Sequence, residues 1–194
     1  TILTSAFFSL LYPSHTPLLP GYNKNHNCLV QEDFRHQYLK NAVESSNTEL
    51  RRGSKRLMKL LDRRNVPLLV FSAGIGDLIT LYFERMFANT PSNIDIISNF
   101  MKFETDPATG RPGRLVGFSE PLLHMFNKDA SRITGTPFED DVKGKRSAIL
   151  LGDSLGDVHM ADGWELDNVI KVGFLNAQVP KLLEQYKAVY DVVV

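Results

Sequence analysis

Two short apolar runs, "VPLLVFSAG" (Val66 to Gly74) and "KRSAILLGDS" (Lys145 to Ser154), constrain this chain more than any other feature. Each is an unbroken hydrophobic stretch of strand length that ends in small and polar residues. That is the pattern of a strand buried on both faces and opening into a turn. The segments between and after them alternate in period. "DLITLYFERMF" has apolar residues at helical spacing, "NIDIISNF" reads as a second strand, "VIKVGFL" as a fourth, "QVPKLLEQYKAVY" as a final helix and "DVVV" as a last strand. "RLVGF", after the turn "DPATGRPG", is expected to be a more exposed strand, "PLLHMFNKDASRIT" a helix, and "GDVHMADG" the opening of another. Strands alternating with helices predict an α/β fold, a doubly wound parallel sheet with right-handed crossovers and helices on both faces. Ligands of such sheets sit in the crevice outside the carboxyl ends of the strands.

The start of the chain reads differently. Pro13, Pro17, Pro20 and Gly21 interrupt any regular element, so residues 1 to 30 are expected to be irregular. From Gln31 to Arg64 the pattern is helical, with Leu50, Leu57, Leu60 and Leu61 on one face of a helix ending near "DRRN". The 194 residues, 43% of them hydrophobic, suffice for one sizeable core. The 22 basic and 22 acidic side chains cancel, which gives no overall field for nucleic acid or an anionic membrane, so neither is expected as a partner. Cys28 is the sole cysteine and cannot form an intramolecular disulfide, which suits a reducing compartment; it reads as a packed or surface thiol. No apolar run approaches the roughly 20 residues of a membrane span, and "TILTSAFFSLL" lacks the features of a signal peptide, so a soluble, cytoplasmic protein is expected.

Both buried runs end where a ligand should bind. Asp153 leaves its strand beside Gly152, and Asp157 follows one helical turn later; the pair suits a hard cation such as Mg²⁺, or else caps the next helix. Ser72 with Ala73 and Gly74 is either a helix cap or an anion site. Lys128, between apolar positions, either reaches the crevice to neutralise phosphate or is a solvated lysine. His124 and His159 have no partner at metal-ligand spacing and read as structural, and Trp164 reads as core or cover.

The order strand-Ser, then Lys, then strand-Gly-Asp-x-x-x-Asp resembles the haloacid dehalogenase superfamily of phosphohydrolases. Six phrases, "VFSAGIGDLI", "IISNFMKFE", "GRLVGFSEPLLHMFNKD", "ILLGDSLGDVHMADG", "IKVGFLN" and "LLEQYKAVYDVVV", resemble the cytosolic pyrimidine 5′-nucleotidase (cytosolic 5′-nucleotidase III) family over about residues 50 to 194. The resemblance implies a Rossmann-type core at 50 to 194 and a reduced or divergent helical cap at 1 to 49. It implies Mg²⁺-dependent removal of phosphate from pyrimidine or 7-methylguanosine 5′-monophosphates through an aspartyl-phosphate. Ser72, Ala73 and Gly74 would hold the phosphate, Lys128 would bind phosphate and nucleophile, Asp153 would ligate Mg²⁺, and Asp157 would support the metal site or orient Lys128. The family's nucleophile lies in an Asp-x-Asp-x-Thr motif at the end of the first strand, and this chain has no Asp-x-Asp. The chain is therefore read either as a fragment of an active nucleotidase that lacks its nucleophile or as an inactive Mg²⁺- and phosphate-binding or interaction module on the same fold. Glu32, Glu44 and Glu49 are equal candidates for the family's cap glutamate. A final strand without a closing helix is expected to leave apolar surface uncovered and to make the chain marginally stable or prone to associate.

Overall fold

The computed structural model describes residues 2–4, 29–87, 90–124 and 127–194. Among these residues the centre is a six-stranded, wholly parallel sheet that runs across from Ile94–Asn99 through Leu68–Ile75, Ile2–Thr4, Ser147–Gly152 and Asn168–Gly173 to Val192–Val193. These strands are β1 (Ile2–Thr4), β2 (Leu68–Ile75), β3 (Ile94–Asn99), β6 (Ser147–Gly152), β7 (Asn168–Gly173) and β8 (Val192–Val193). The helices are α1 (His36–Ser45), α2 (Ser54–Arg63), α3 (Gly76–Met86), α4 (Pro137–Val142) and α5 (Val179–Val189), and 3-10 turns span Ala130–Arg132 and Leu155–Ala161. A separate antiparallel hairpin, β4 (Met101–Thr105) with β5 (Pro112–Phe118), follows β3.

The continuous apolar runs are explained by burial on both faces. Leu69, Phe71 and Leu150 pack with Phe138, Val158, Met160, Tyr186 and Tyr190 on one side. Leu68, Val70 and Leu151 pack on the other with Met58 and Leu61 of α2 and Ile79 and Phe83 of α3. That second face thins towards β6 and β7, where the paired Ile149 and Ile170 are 38% and 52% exposed.

Four expectations need correction. Residues 2–4, expected to be irregular, form the central strand: in register with Leu68–Val70 and Ile149–Leu151, the short run Ile2-Leu3-Thr4 gains a ladder on both edges, which outweighs the breakers further on. The single helix up to Arg64 is two, α1 and α2, separated by residues 46–53, and α2 starts after Gly53, whose φ of 93° belongs to the left-handed region. Leu60 is 51% exposed, while Met58 and Leu61 carry the buried face. Of the helix expected from Pro121 only the 3-10 turn Ala130–Arg132 forms among the described residues, and ahead of it side chains supply the bonds a helix would make: Asn127 Oδ1 accepts from His124 N–H at 2.7 Å and Asn127 Nδ2 donates to the Leu122 carbonyl at 3.0 Å. The strand "RLVGF" has a partner, β4, that its sequence did not announce. Cys28 and most of the irregular segment lie outside the described residues.

Candidate active site

The chain runs outward from β1 to β2 and β3, then returns to β6 on the other side of β1. The order therefore reverses at β1, and the crevice at the carboxyl ends of β2, β1 and β6 is the topological switch point where this class of sheet binds ligands. Ser72-Ala73-Gly74 lies on one side of that point and Asp153 on the other.

On the β2 side the ladder with β3 breaks. Phe71 pairs with Ile97 and Ile75 with Asn99, so four residues of β2 oppose two of β3 and Ser72, Ala73 and Gly74 form a bulge. Side chains at the end of β3 fix it. Ser98 Oγ donates to the Gly74 carbonyl at 3.0 Å, and Asn99 Nδ2 donates to the Ala73 carbonyl at 2.8 Å. In a planar trans peptide the amide points opposite to the carbonyl, so holding Ala73 C=O towards β3 turns the Gly74 N–H away from it. That N–H donates to the buried Ser72 Oγ at 3.1 Å. Helix α3 begins at Gly76 with Ile75 as its N-cap and no side-chain cap bond, so Ser72 shapes the bulge and does not cap a helix.

On the β6 side Asp157 is spent on structure. Its Oδ2 accepts from the backbone N–H groups of Asp153 (3.1 Å) and Ser154 (3.0 Å), and its Oδ1 lies 3.1 Å from Lys128 Nζ. Both side chains are buried, so Lys128 is no solvated lysine. The capping and the Lys128-pairing readings of Asp157 hold together, one for each oxygen. Two tyrosines four residues apart, Tyr186 in α5 and Tyr190 as its C-cap residue, fix the same turn: Tyr186 Oη donates to the Asp153 carbonyl at 2.6 Å and Tyr190 Oη to the Ser154 carbonyl at 2.5 Å.

Asp153 itself is partly buried, just past the carboxyl end of β6. Burial first, and then the negative charge of Asp157, push its pKa up to about 6, with Lys128 pulling the other way. A desolvated carboxylate beside another gains from a cation. Burial likewise raises the Tyr186 and Tyr190 phenols, which stay protonated donors. Among the described residues no three His, Cys, Asp or Glu side chains cluster to hold a metal ion. The donor set thus fits Mg²⁺, which binds through one or two carboxylates plus waters and substrate phosphate, and does not fit an all-protein cage.

His159, exposed, pairs with Asp162 at 2.8 Å, and Trp164 stacks edge-on against Phe138. Sequence reasoning passed over Asn99, which is 1% exposed. Besides Ala73 it holds Leu123, through Nδ2 to the carbonyl (3.0 Å) and Oδ1 to the N–H (2.7 Å), and so ties the loop that leads to Lys128 to the Ser72 bulge. The available signal was a third apolar strand ending in polar residues, "IISN".

The profile of the family Pyrimidine 5′-nucleotidase (UMPH-1) matches residues 16–194. The chain belongs to the pyrimidine 5′-nucleotidase family. The match starts well upstream of the six phrases and takes in α1. A relative in Homo sapiens, the 7-methylguanosine phosphate-specific 5′-nucleotidase, is 39% identical over 177 residues, which are 91% of this chain and 57% of that protein. The putative cytosolic 5′-nucleotidase 3 of Caenorhabditis elegans is 36% identical over 176 residues, 89% of this chain and 45% of that one. The crystal structure of cytosolic 5′-nucleotidase IIIB bound to cytidine superposes with a TM-score of 0.65 at 31% identity, over 81% of this chain and 50% of the other. This pyrimidine 5′-nucleotidase family member therefore spans about half the length of the relatives it matches.

Proposed function

We propose that the protein acts on nucleoside 5′-monophosphates, of pyrimidines or 7-methylguanosine, and releases nucleoside and phosphate with the help of Mg²⁺. The observation that carries the reading is the pairing of Lys128 with Asp157, which also holds the Asp153 backbone, across β1 from the Ser72 bulge. In this reading Ser72, Ala73 and Gly74 bind phosphate oxygens through hydroxyl and backbone amides. Lys128, held by Asp157, supplies the positive charge that a transferring phosphoryl group needs. Asp153 is the protein's ligand to Mg²⁺, which when bound neutralises phosphate charge. Ordering these groups before substrate arrives is their contribution, since phosphoryl transfer depends chiefly on positioning and electrostatics. Residues 50–194 together with β1 form the catalytic core, and the rest of residues 1–49 supplies a divergent cap-like segment, in a protein that works in the cytoplasm. Among the described residues no helix is long and apolar enough to cross a membrane.

One observation favours a second reading. The first carboxylate in the chain is Glu32, so no aspartate follows β1 to serve as nucleophile. The same site then binds nucleotide and Mg²⁺ without turnover. Phosphate release from cytidine, uridine and 7-methylguanosine monophosphates, with and without Mg²⁺ and beside Asp153→Asn, decides between them. Release that the substitution abolishes supports hydrolysis. Calorimetric binding of the nucleotide without release supports the binding module, and neither binding nor release overturns both.

A further inference from the structure

The neutral net charge of the chain hides a segregation. Between Arg51 and Asn65 lie Arg51, Arg52, Lys55, Arg56, Lys59, Arg63 and Arg64, against one acid, the half-buried Asp62. Helix α2 turns Met58 and Leu61 into the core, which leaves Lys55, Arg56, Lys59 and Arg63 on its exposed side, with Arg52 just before it and Arg64 just after, also exposed. Lys55 is engaged, donating to the Met86 carbonyl at 2.6 Å and lying over the Phe87 ring. Arg52, Arg56, Lys59, Arg63 and Arg64 make no side-chain hydrogen bond or ion pair among the described residues. Arg56, Lys59 and Arg63 follow one another on α2 at steps of three and four, with about 4.5 and 6 Å of rise, and Arg52 lies two residues ahead of the helix. Five unpaired cations between Arg52 and Arg64 repel one another, and only their distance and solvent screening make that tolerable.

We propose that this outer face of α2 binds the phosphate backbone of a nucleic acid strand. A linear polyanion meets the whole row at once and releases its counterions, which a single small anion does not. A lipid surface fits less well, because a helix that lies in a membrane interface presents large apolar or aromatic side chains beside its cations. Here the exposed face offers only Leu60. The site involves none of the residues assigned to nucleotide binding, and the proposal stands or falls independently of that activity.

The test is fluorescence anisotropy of a labelled, mixed-sequence single-stranded RNA with the full chain. With five phosphates contacted and a slope of about −0.7 per contact, affinity should fall about 100-fold between 50 and 200 mM salt. R56E/K59E and the milder R56Q/K59Q should each weaken binding at least about tenfold at low salt with an unchanged melting temperature, the charge reversal more than the neutralisation. K143E/K145E, an exposed pair elsewhere, should bind as the parent does. Absence of binding at 50 mM salt, binding that survives both α2 variants, or an equal loss in K143E/K145E overturns the proposal. So does binding to phosphatidylserine vesicles without binding to RNA.

Discussion

The carboxamide of Asn99 holds Leu123 at two points, accepting from its N–H at 2.7 Å and donating to its carbonyl at 3.0 Å, while the same Nδ2 donates to Ala73. One buried side chain thus sets the distance between the Ser72 bulge and the loop that delivers Lys128. Asn99→Ala strands three buried backbone groups, so a loss of about 3 kcal/mol is expected in urea unfolding. Asn99→Asp keeps the acceptor but turns a charge towards two carbonyls, and should be no better. A midpoint within error of the parent's for both variants would show that the clamp carries no weight.

Lys128 and Asp157 are buried together, and removing one strands the other. Lys128→Met should cost about 3 to 5 kcal/mol, as is usual when a buried charge loses its partner. Adding Asp157→Asn to it should recover part of the loss. A double-mutant cycle reads the coupling, expected to exceed about 1 kcal/mol; additive losses would mean that the two side chains do not depend on each other.

The metal-free site should respond to pH. Asp153 titrates near 4 in the unfolded chain and is pushed up to about 6 in the fold, so folding favours its protonated form. Its contribution to stability is fully present below about pH 4 and is lost as pH rises through about 6. Mg²⁺ competes with that proton. The rise in melting temperature on adding Mg²⁺ should therefore be clear at about pH 7.5 and small at about pH 5. Equal rises at both would argue against Asp153 as the ligand.

Close approach, more than backbone freedom, explains Gly152 and Gly173. A Cβ on Gly173 would stand 2.5 Å from Tyr190 Cδ2, and one on Gly152 would meet Tyr190 Oη and stand 2.7 Å from Asp157 Cβ. Either glycine to alanine should cost about 1 to 3 kcal/mol by overpacking. Tyr190→Phe keeps the ring and loses only the bond to the Ser154 carbonyl, so it should cost less than Gly173→Ala. Thermal melts of the three variants give the order.

The sequence showed best what rests on long patterns. Two buried runs, each ending in polar residues, were enough to place Ser72 and Asp153 at one edge of a parallel sheet, because strands of that kind need covered faces and a crossover. Three-residue β1 was illegible, since so short a strand has no period and owes its structure to the ladders on either side. The loop before Lys128 misled for a different reason: its apolar spacing suits a helix, but the Asn127 side chain takes the backbone bonds locally. Asn99 and the burial of Lys128 depend on partners 24 and 29 residues away, which no local pattern announces.

β1 joins two half-sheets, β3-β2 on one side and β6-β7-β8 on the other, through a seam of only three residues. The Ser72 bulge belongs to the first half and Asp153 to the second, two strand spacings of about 4.8 Å away. Mechanically the site is a gap between two separately built plates. Its width depends on the seam at the sheet's middle, and the Asn99 clamp and the Lys128–Asp157 pair act as cross-braces between the plates above it.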